Sequence, residues 1–480
     1  MISQALESAS ASVSPASQAT SAQAVPLSRC KSKDSRSRGA GRVQGVSLLL
    51  ATALCLSLAA CSGGGGKQGS HALSPETVTP KGPRVGLILP LSGAHAAIGQ
   101  RMRQAARLAL PPSQKIALDV FDSAPPSNGT QAAHKAVSAG DSIVLGPLMG
   151  GATEQAADVL QPAQLPELAF TSDSQQARPG VWVMGLTPEQ QVDRLVQAAV
   201  AAGRHRFAAF LPESPLGHAM ASALAEACQH AALEPPHIVF HDATPESVTQ
   251  GMADLSEIAL RRPPDLSDKP DSITPAQDSS ASEPSAVDPV VEKETAEALE
   301  EAPKEHIPLP RVPMGPPPFD ALLLADTGVN LGRVIAAMKQ DDVRSSQVQI
   351  MGPALWRSFD TKLGALKGAW YAGLDTSQRG GYVRQYTALY HQAPSPVTDF
   401  AYDTAALAGA LISQRSLSVE RLTDPDGFVG VNGWFRLLPN GHVLRGLNLY
   451  EIVPGGGSRL ISPASASTPE KAAPAPAAKL

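Results

Sequence analysis

The sequence predicts an α/β protein of two lobes, each a mostly parallel sheet flanked by helices. Three observations carry this reading. From Arg84 onward, short buried-strand patterns alternate with helix-length patterns, the arrangement that builds a parallel sheet covered on both faces. After Pro188 the alternation restarts as a second α/β unit. The stretch from Cys61 to the end, about 420 residues, is long enough for two packed lobes.

The elements follow in order. Arg84–Leu91 reads as a buried strand, then a Ser92-Gly93 turn, then a helix over Ile98–Leu110 with Met102, Ala105, Ala106 and Ala109 on one face. Strands are expected at Ile116–Phe121, Ser142–Gly146 and Leu168–Thr171, and helices at Gln131–Ala139 and Thr153–Leu160. In the second unit the helices are Glu189–Ala202, Leu216–Ala232, Val248–Arg261 and Leu331–Gln340. Its strands are Arg206–Leu211, His237–His241, Phe319–Ala325 and Val348–Gly352. Two further helices are expected near Gly381–Tyr390 and Asp399–Ile412. The body closes with a hairpin of Gly433–Leu437, a Pro439-Asn440-Gly441 turn and Leu444–Val453.

The flanks have a different texture. Residues 1–60 read as a signal peptide with a long Ser/Ala-rich n-region: a basic cluster precedes the apolar run Val46–Ala60, about fifteen residues, short of the roughly 20 a membrane span needs. Leu58-Ala59-Ala60-Cys61 resembles a bacterial lipobox, which implies cleavage before Cys61 and acylation of its thiol, with more than one chain for a stable anchor. Residues 61–82 read as a flexible Gly/Ser/Pro tether. Its Gly63–Gly66 run and Lys67 are not a phosphate loop, because Gln68 stands where Ser or Thr is needed and no strand precedes it. Residues 83–461 form the bilobal body. Within its second lobe, residues 262–318 are Pro-rich and acidic without apolar periodicity, and an insertion of that composition is expected to be disordered. The Ala/Pro tail at 462–480 reads the same way.

Composition excludes several functions. A net charge of −5 offers no basic field for nucleic acid. Cys30 and Cys55 fall in the leader and Cys61 in the lipobox, so Cys228 is left alone, on a helical pattern that suits a small core residue. No paired cysteines or clustered histidines suggest a metal, and no cofactor is expected. H-E-x-x-H, G-x-S-x-G and S-x-x-K with its partner motifs are all missing, so the chain reads as a non-enzyme. The eleven histidines read as solvated or satisfied.

A ligand cleft is the remaining chemistry. In two-lobed α/β proteins small molecules sit between the lobes, at loops after strand ends and at helix N-termini. Those loops offer Ser92, Gly151, Thr153, Thr171, Ser172, Asp326 and Tyr402. Plainer readings compete: Thr153 and Ser172 as helix caps, and Asp403, after Tyr402, as a partner of its own helix dipole.

Val85–Gly93, Gly146-Pro147-Leu148 with Thr153, and Ala401–Leu407, in this order, resemble periplasmic binding proteins of the leucine/isoleucine/valine type. Pro318–Ala325, Gly352–Trp356, Lys367–Tyr371, Gly427–Arg436 and Arg445-Gly446-Leu447 narrow the resemblance to the penicillin-binding protein activators, the LpoA-like lipoproteins. That family implies a type 1 periplasmic-binding-protein fold, an outer-membrane lipid anchor, and a bifunctional peptidoglycan synthase as the partner that is bound and stimulated. Its well-known members carry an N-terminal helical-repeat domain, in place of which this sequence has the short tether. Ser62 after the acylated cysteine favours the outer membrane. The alternative is the substrate-binding lipoprotein of an amino-acid or amide importer. Against it, Met149–Thr153 has fewer hydroxyls than the carboxylate-holding loop of amino-acid binders, and Asp173 adds a charge hostile to a carboxylate. Whether the cleft takes a small molecule stays open.

Overall fold

The computed structural model describes residues 82–125, 128–262 and 314–464. The signal segment and lipobox, nearly all of the tether, residues 263–313 of the acidic insertion and the tail beyond residue 464 lie outside the described residues.

Lobe 1 is a five-stranded sheet of β1 (Arg84–Leu89), β2 (Ala117–Asp122), β3 (Val144–Leu145), β4 (Glu167–Ala169) and β5 (Val181–Val183). All pairs are parallel, in the order β2-β1-β3-β4-β5. β1 is buried on both faces from Val85 onward, as its unbroken apolar run requires. On one face Ile88 and Val144 meet Ala132, Ala133, Ala136, Ala156 and Leu160 of the helices Gly129–Ala139 and Gly150–Leu160. The first of these starts at Asn128, whose side chain accepts from Gln131 N–H, and stops at Gly140 in the left-handed conformation. The other face, with Val85, Leu87 and Leu89, packs on the helix Ala96–Ala109 and on chain that returns from far downstream, the helices Arg379–Tyr390 and Pro396–Ser413.

Lobe 2 is a seven-stranded sheet. β6 (Phe207–Pro212), β7 (His237–His241), β8 (Ala321–Leu324), β9 (Gln349–Gly352) and β10 (Trp370–Leu374) run parallel. β14 (Leu447–Ile452) and β15 (Ser458–Ser462) add antiparallel strands, giving β15-β14-β10-β9-β8-β6-β7. A small antiparallel sheet of β11 (Phe428–Gly430), β12 (Gly433–Leu437) and β13 (Val443–Arg445) packs into the core of lobe 1. Its β12–β13 turn docks on β5, where Val183 N–H reaches Gly441 O at 3.1 Å and Trp182 Nε1 reaches Leu438 O at 2.7 Å.

Among the described residues the chain therefore crosses between lobes three times, after β5, after β10 and at Gly446. The last crossing corrects the expected hairpin. Leu444–Val453 is not one strand: up to Arg445 it pairs with β12 beside lobe 1, and from Leu447 it pairs with β10 in lobe 2. The expected helix Val248–Arg261 is likewise broken, at Glu257, whose φ of 51° is left-handed. Cys228 is buried in lobe 2, and burial raises its thiol to about 11.

At the base of the insertion, Arg261 gathers carbonyls from three segments: Nε reaches Gly315 O at 2.9 Å, Nη1 reaches Ser256 O at 3.1 Å and Asp341 O at 3.0 Å, and Nη2 reaches Asp342 O at 3.2 Å. The points where the chain leaves and re-enters lobe 2 are thus held side by side.

Candidate functional site

The carboxyl ends of both parallel sheets carry the loops that face a cleft in open α/β folds. On lobe 1, Ser92 is exposed and its hydroxyl donates to Asp122 Oδ2 at 2.7 Å. Asp122 also accepts from Leu91 N–H (2.8 Å) and Ala124 N–H (2.9 Å). Partial burial raises its pKa, but these hydrogen bonds outweigh that and hold it below the usual carboxylate range.

The helix after β3 begins at Gly150, three residues before the position periodicity suggests, and this changes two assignments. Gly151 lies in its exposed first turn. Thr153 is fully buried, and its Oγ1 donates to Met149 O at 3.1 Å, back-bonding within the helix rather than capping it. The N-cap residue, Met149, supplies no side-chain cap. Instead the carboxylate of Asp173 lies over this end: a Cβ added at Gly150 would stand 2.9 Å from Asp173 Oδ2. Asp173 is fixed there by Gln175 N–H and Gln176 Nε2, both at 3.1 Å. Thr171 is buried at the end of β4, its hydroxyl accepting from Asp173 N–H, and Ser172 is exposed beside it.

On lobe 2, Asp326 follows β8 and is 3% exposed. Its Oδ2 lies 3.2 Å from Nε2 of His241, at the end of β7, across the intervening β6. His241 Nδ1 accepts from Ala243 N–H at 3.2 Å, which leaves the proton on Nε2 to donate to Asp326. The imidazole stacks on Phe210 of β6 with centroids 4.5 Å apart. Trp356 Nε1 donates to Asp326 O, while Asp326 Oδ1 is buried without a partner among the described residues. The first turns of the helical segments after β6, β8 and β9, three neighbouring strands, expose Leu216, Val329 and Leu355. His241 is a satisfied histidine, as expected, with a partner at each ring nitrogen. No local pattern could reveal it, because its partner lies 85 residues away.

Tyr402 is not at a cleft edge. The helix expected from Asp399 begins at Pro396, so Tyr402 falls in its middle, 2% exposed and tilted against Tyr382 at 4.5 Å between centroids. Asp403 also takes a different role. It caps the β11–β12 turn rather than its own helix, accepting from Val431 N–H (2.8 Å) and Asn432 N–H (3.3 Å). A Cβ on Gly430 would stand 2.4 Å from the Asp403 carboxylate, so glycine is required for this approach. Arg445 supplies the compensating charge, donates to Met184 O, and lies over the rings of Phe400 (5.1 Å) and Phe435 (5.4 Å). Burial pushes Asp403 up to about 7 against the opposing N–H bonds, and draws Arg445 down to about 10. The sequence stretches around Asp403, Gly430 and Arg445 thus converge on one buried latch beside two of the lobe crossings.

Of the seven cleft candidates, the structure sets Ser92, Gly151, Thr171 and Ser172 along the carboxyl edge of lobe 1 and Asp326 at that of lobe 2, and it buries Thr153 and Tyr402 in lobe 1. Lobe 1 therefore carries Asp122 and Asp173 at the carboxyl edge of its sheet, and lobe 2 a buried His–Asp pair at the carboxyl edge of its own. Among the described residues no group of three or more His, Cys, Asp or Glu side chains could hold a metal ion.

A model of the periplasmic binding protein family matches residues 83–261. Comparison with curated proteins gave no match. Among solved structures, full-length LpoA from Haemophilus influenzae is similar at 18% identity and a TM-score of 0.51, over 79% of this chain and 59% of that one. This chain thus spans about three fifths of that protein's length. The isolated C-domain of LpoA from Haemophilus influenzae, a regulator of PBP1A, is similar at 16% identity and a TM-score of 0.51, over 79% of this chain and 99% of the domain. A putative branched-chain amino acid ABC transporter protein from Rhodospirillum rubrum is similar at 17% identity and a TM-score of 0.57, over 79% and 100%. The body has the type 1 periplasmic-binding-protein fold.

Proposed function

We propose that this chain is a non-catalytic cell-envelope lipoprotein, anchored through Cys61 in the outer membrane, that binds and stimulates a bifunctional peptidoglycan synthase. The observation that carries the reading is Asp173. In a binding protein that carries amino acids, the N-terminus of the helix after β3 receives the ligand's carboxylate, because free N–H groups and the helix dipole favour an anion there. Here that helix end carries a fixed carboxylate of the chain's own, Met149 and Gly150 offer no hydroxyl, and Thr153 is turned inward. A second carboxylate is disfavoured at such a position. Each missing hydrogen bond to a charged group costs a ligand about 1.5–3 kcal/mol. A lobe that no longer needs a cargo is free to serve as a protein surface, as in the LpoA C-domain that regulates PBP1A.

The experiment pairs two titrations on the purified chain. Immobilised bifunctional synthase should capture it with a saturable curve, and calorimetry with leucine, isoleucine and valine should give no heat of binding. Micromolar binding of any of the three, with no capture by the synthase, would replace this reading by that of an importer subunit. The anchor is checked separately: Cys61→Ser should release the protein from washed membranes.

A further inference from the structure

Charge is segregated on lobe 1. The helices Ala96–Ala109, Arg379–Tyr390 and Pro396–Ser413 pack side by side, joined by Tyr386 Oη to Gln104 Oε1 (2.7 Å) and by Tyr390 Oη to Gln104 O (3.1 Å). Apart from Asp399 and Asp403 of the last helix, residues 93–118 and 376–419, which contain them, hold neither Asp nor Glu. The two acids inside the last helix are buried: Asp399 pairs with Arg379 at 2.5 Å, and Asp403 is the latch. The exposed cations of this face are Arg107, Lys115, Arg384 and Arg415, on a protein whose net charge is −5, and one exposed acid, Glu420, follows Val419 at its edge.

Two further features accompany the cations. Leu389, in the helix Arg379–Tyr390, and Val419, just after the helix Pro396–Ser413, are 57% and 47% exposed. At the lower end of this face a cavity of about 420 Å³ has apolar walls from Pro166, Ile412, Leu417 and Val419, with Arg415 and Ser142 at its polar side. The N-terminal segment enters the body at this pole. Pro83 O accepts from Ala117 N–H, two residues after Lys115, and Arg84 O accepts from Ser142 N–H, at the cavity wall (both 3.0 Å).

We propose that this face of lobe 1 docks on an anionic phospholipid surface. Cations hold the headgroup phosphates, exposed Leu389 and Val419 enter the interface, and the recess at Arg415 takes a headgroup together with the start of its acyl chain. The occupant is argued from where the chain enters. About twenty residues separate Cys61 from Arg84, at most roughly 70 Å when extended, so a body tethered there keeps its entry pole next to the membrane. The inference goes beyond the synthase reading, and its choice of occupant rests on the anchor proposed at Cys61.

The test uses the chain from Ser62 onward, which lacks the acylated residue, in co-sedimentation with vesicles. Vesicles of phosphatidylcholine with added phosphatidylglycerol should retain the protein at low salt and release it at high salt, and phosphatidylcholine alone should not retain it. The combined variant Arg107→Gln, Lys115→Gln, Arg384→Gln, Arg415→Gln changes only exposed side chains. It should melt like the parent and lose retention by at least about tenfold. Lys339→Gln with Lys362→Gln, on lobe 2, should leave retention unchanged. Equal retention by both vesicle types, or full retention of the fourfold variant, would overturn the proposal. Retention by isolated cell-wall sacculi but not by vesicles would overturn it in favour of the wall polymer. No synthase is present, so either failure leaves that reading untouched.

Discussion

Asp403 and Asp326 are both nearly closed to solvent, yet they are built differently. Asp403 receives two backbone N–H groups from the β11–β12 turn and the field of Arg445, from two stretches of chain distant from its own helix. Asp326 receives one imidazole N–H and keeps an oxygen with no partner among the described residues. The first arrangement is a rivet. It fixes the β11–β12 turn to the helix Pro396–Ser413, next to two of the crossings between lobes. The second is a buried polar pair with spare capacity, set at the edge of a sheet where loops expose apolar side chains. The contrast teaches that burial alone does not mark a working residue. What separates the two carboxylates is that both oxygens of Asp403 accept an N–H, while Asp326 Oδ1 has no partner among the described residues.

Replacing each aspartate tests this contrast. Asp403→Ala leaves two N–H groups and the buried Arg445 uncompensated, and should lower the unfolding free energy by about 3–5 kcal/mol in urea titrations. Asp326→Ala orphans only His241 Nε2 and should cost about 1–3 kcal/mol. Equal losses would erase the distinction between rivet and site.

The pH dependence sharpens it next. Burial raises Asp403 to about 7, Asp399 to about 6 and Asp141 to about 7, and holds Glu167 well above the usual carboxylate range. Asp119 beside Asp141 adds to its shift. Between about pH 4 and 7 these groups bind more protons folded than unfolded, so stability should fall as pH rises through that window. Melting temperature should be higher at pH 5 than at pH 8, and Glu167→Gln should reduce the difference. A melting temperature that climbs toward pH 8 would contradict the assignment.

Smaller effects are expected from two further changes. Joining Arg262 to Met314 by a short Gly/Ser bridge should change stability by no more than about 1–2 kcal/mol, because Arg261 already holds the two ends together and loop length enters closure only logarithmically. A loss of cooperative unfolding would show that residues 263–313 belong to the body. Asp173→Ser should shift stability by under about 1 kcal/mol, in keeping with its partly exposed loop. It would remove the charge from the helix end, so weak leucine binding appearing only in this variant would support the role given to Asp173.

Much of the scaffold is legible from residues alone. The unbroken run Val85–Leu89 requires a strand covered on both faces, and His237–His241 is found with the bounds its alternation suggests. β5 and β11, three residues each, are too short to carry a period. The break at Gly446 changes the partner sheet without changing the alternation. The site was harder to read for a related reason. Loop chemistry marks Ser92 and Asp326, but whether a residue faces a cleft depends on where its helix begins. A start three residues early turned Thr153 inward, and the same shift placed Tyr402 in the core. Asp403 and His241 take their roles from partners 28 and 85 residues away, contacts that no local pattern encodes.

A body that acts on another protein rather than carrying a cargo should change that protein's rate. With a purified bifunctional synthase, the rate of glycan-strand polymerisation and cross-linking is measured with and without the chain from Ser62 onward. A saturable increase in rate that free leucine leaves unchanged is expected. A rate unaffected at every concentration, for a chain that binds leucine at micromolar concentration, would contradict it.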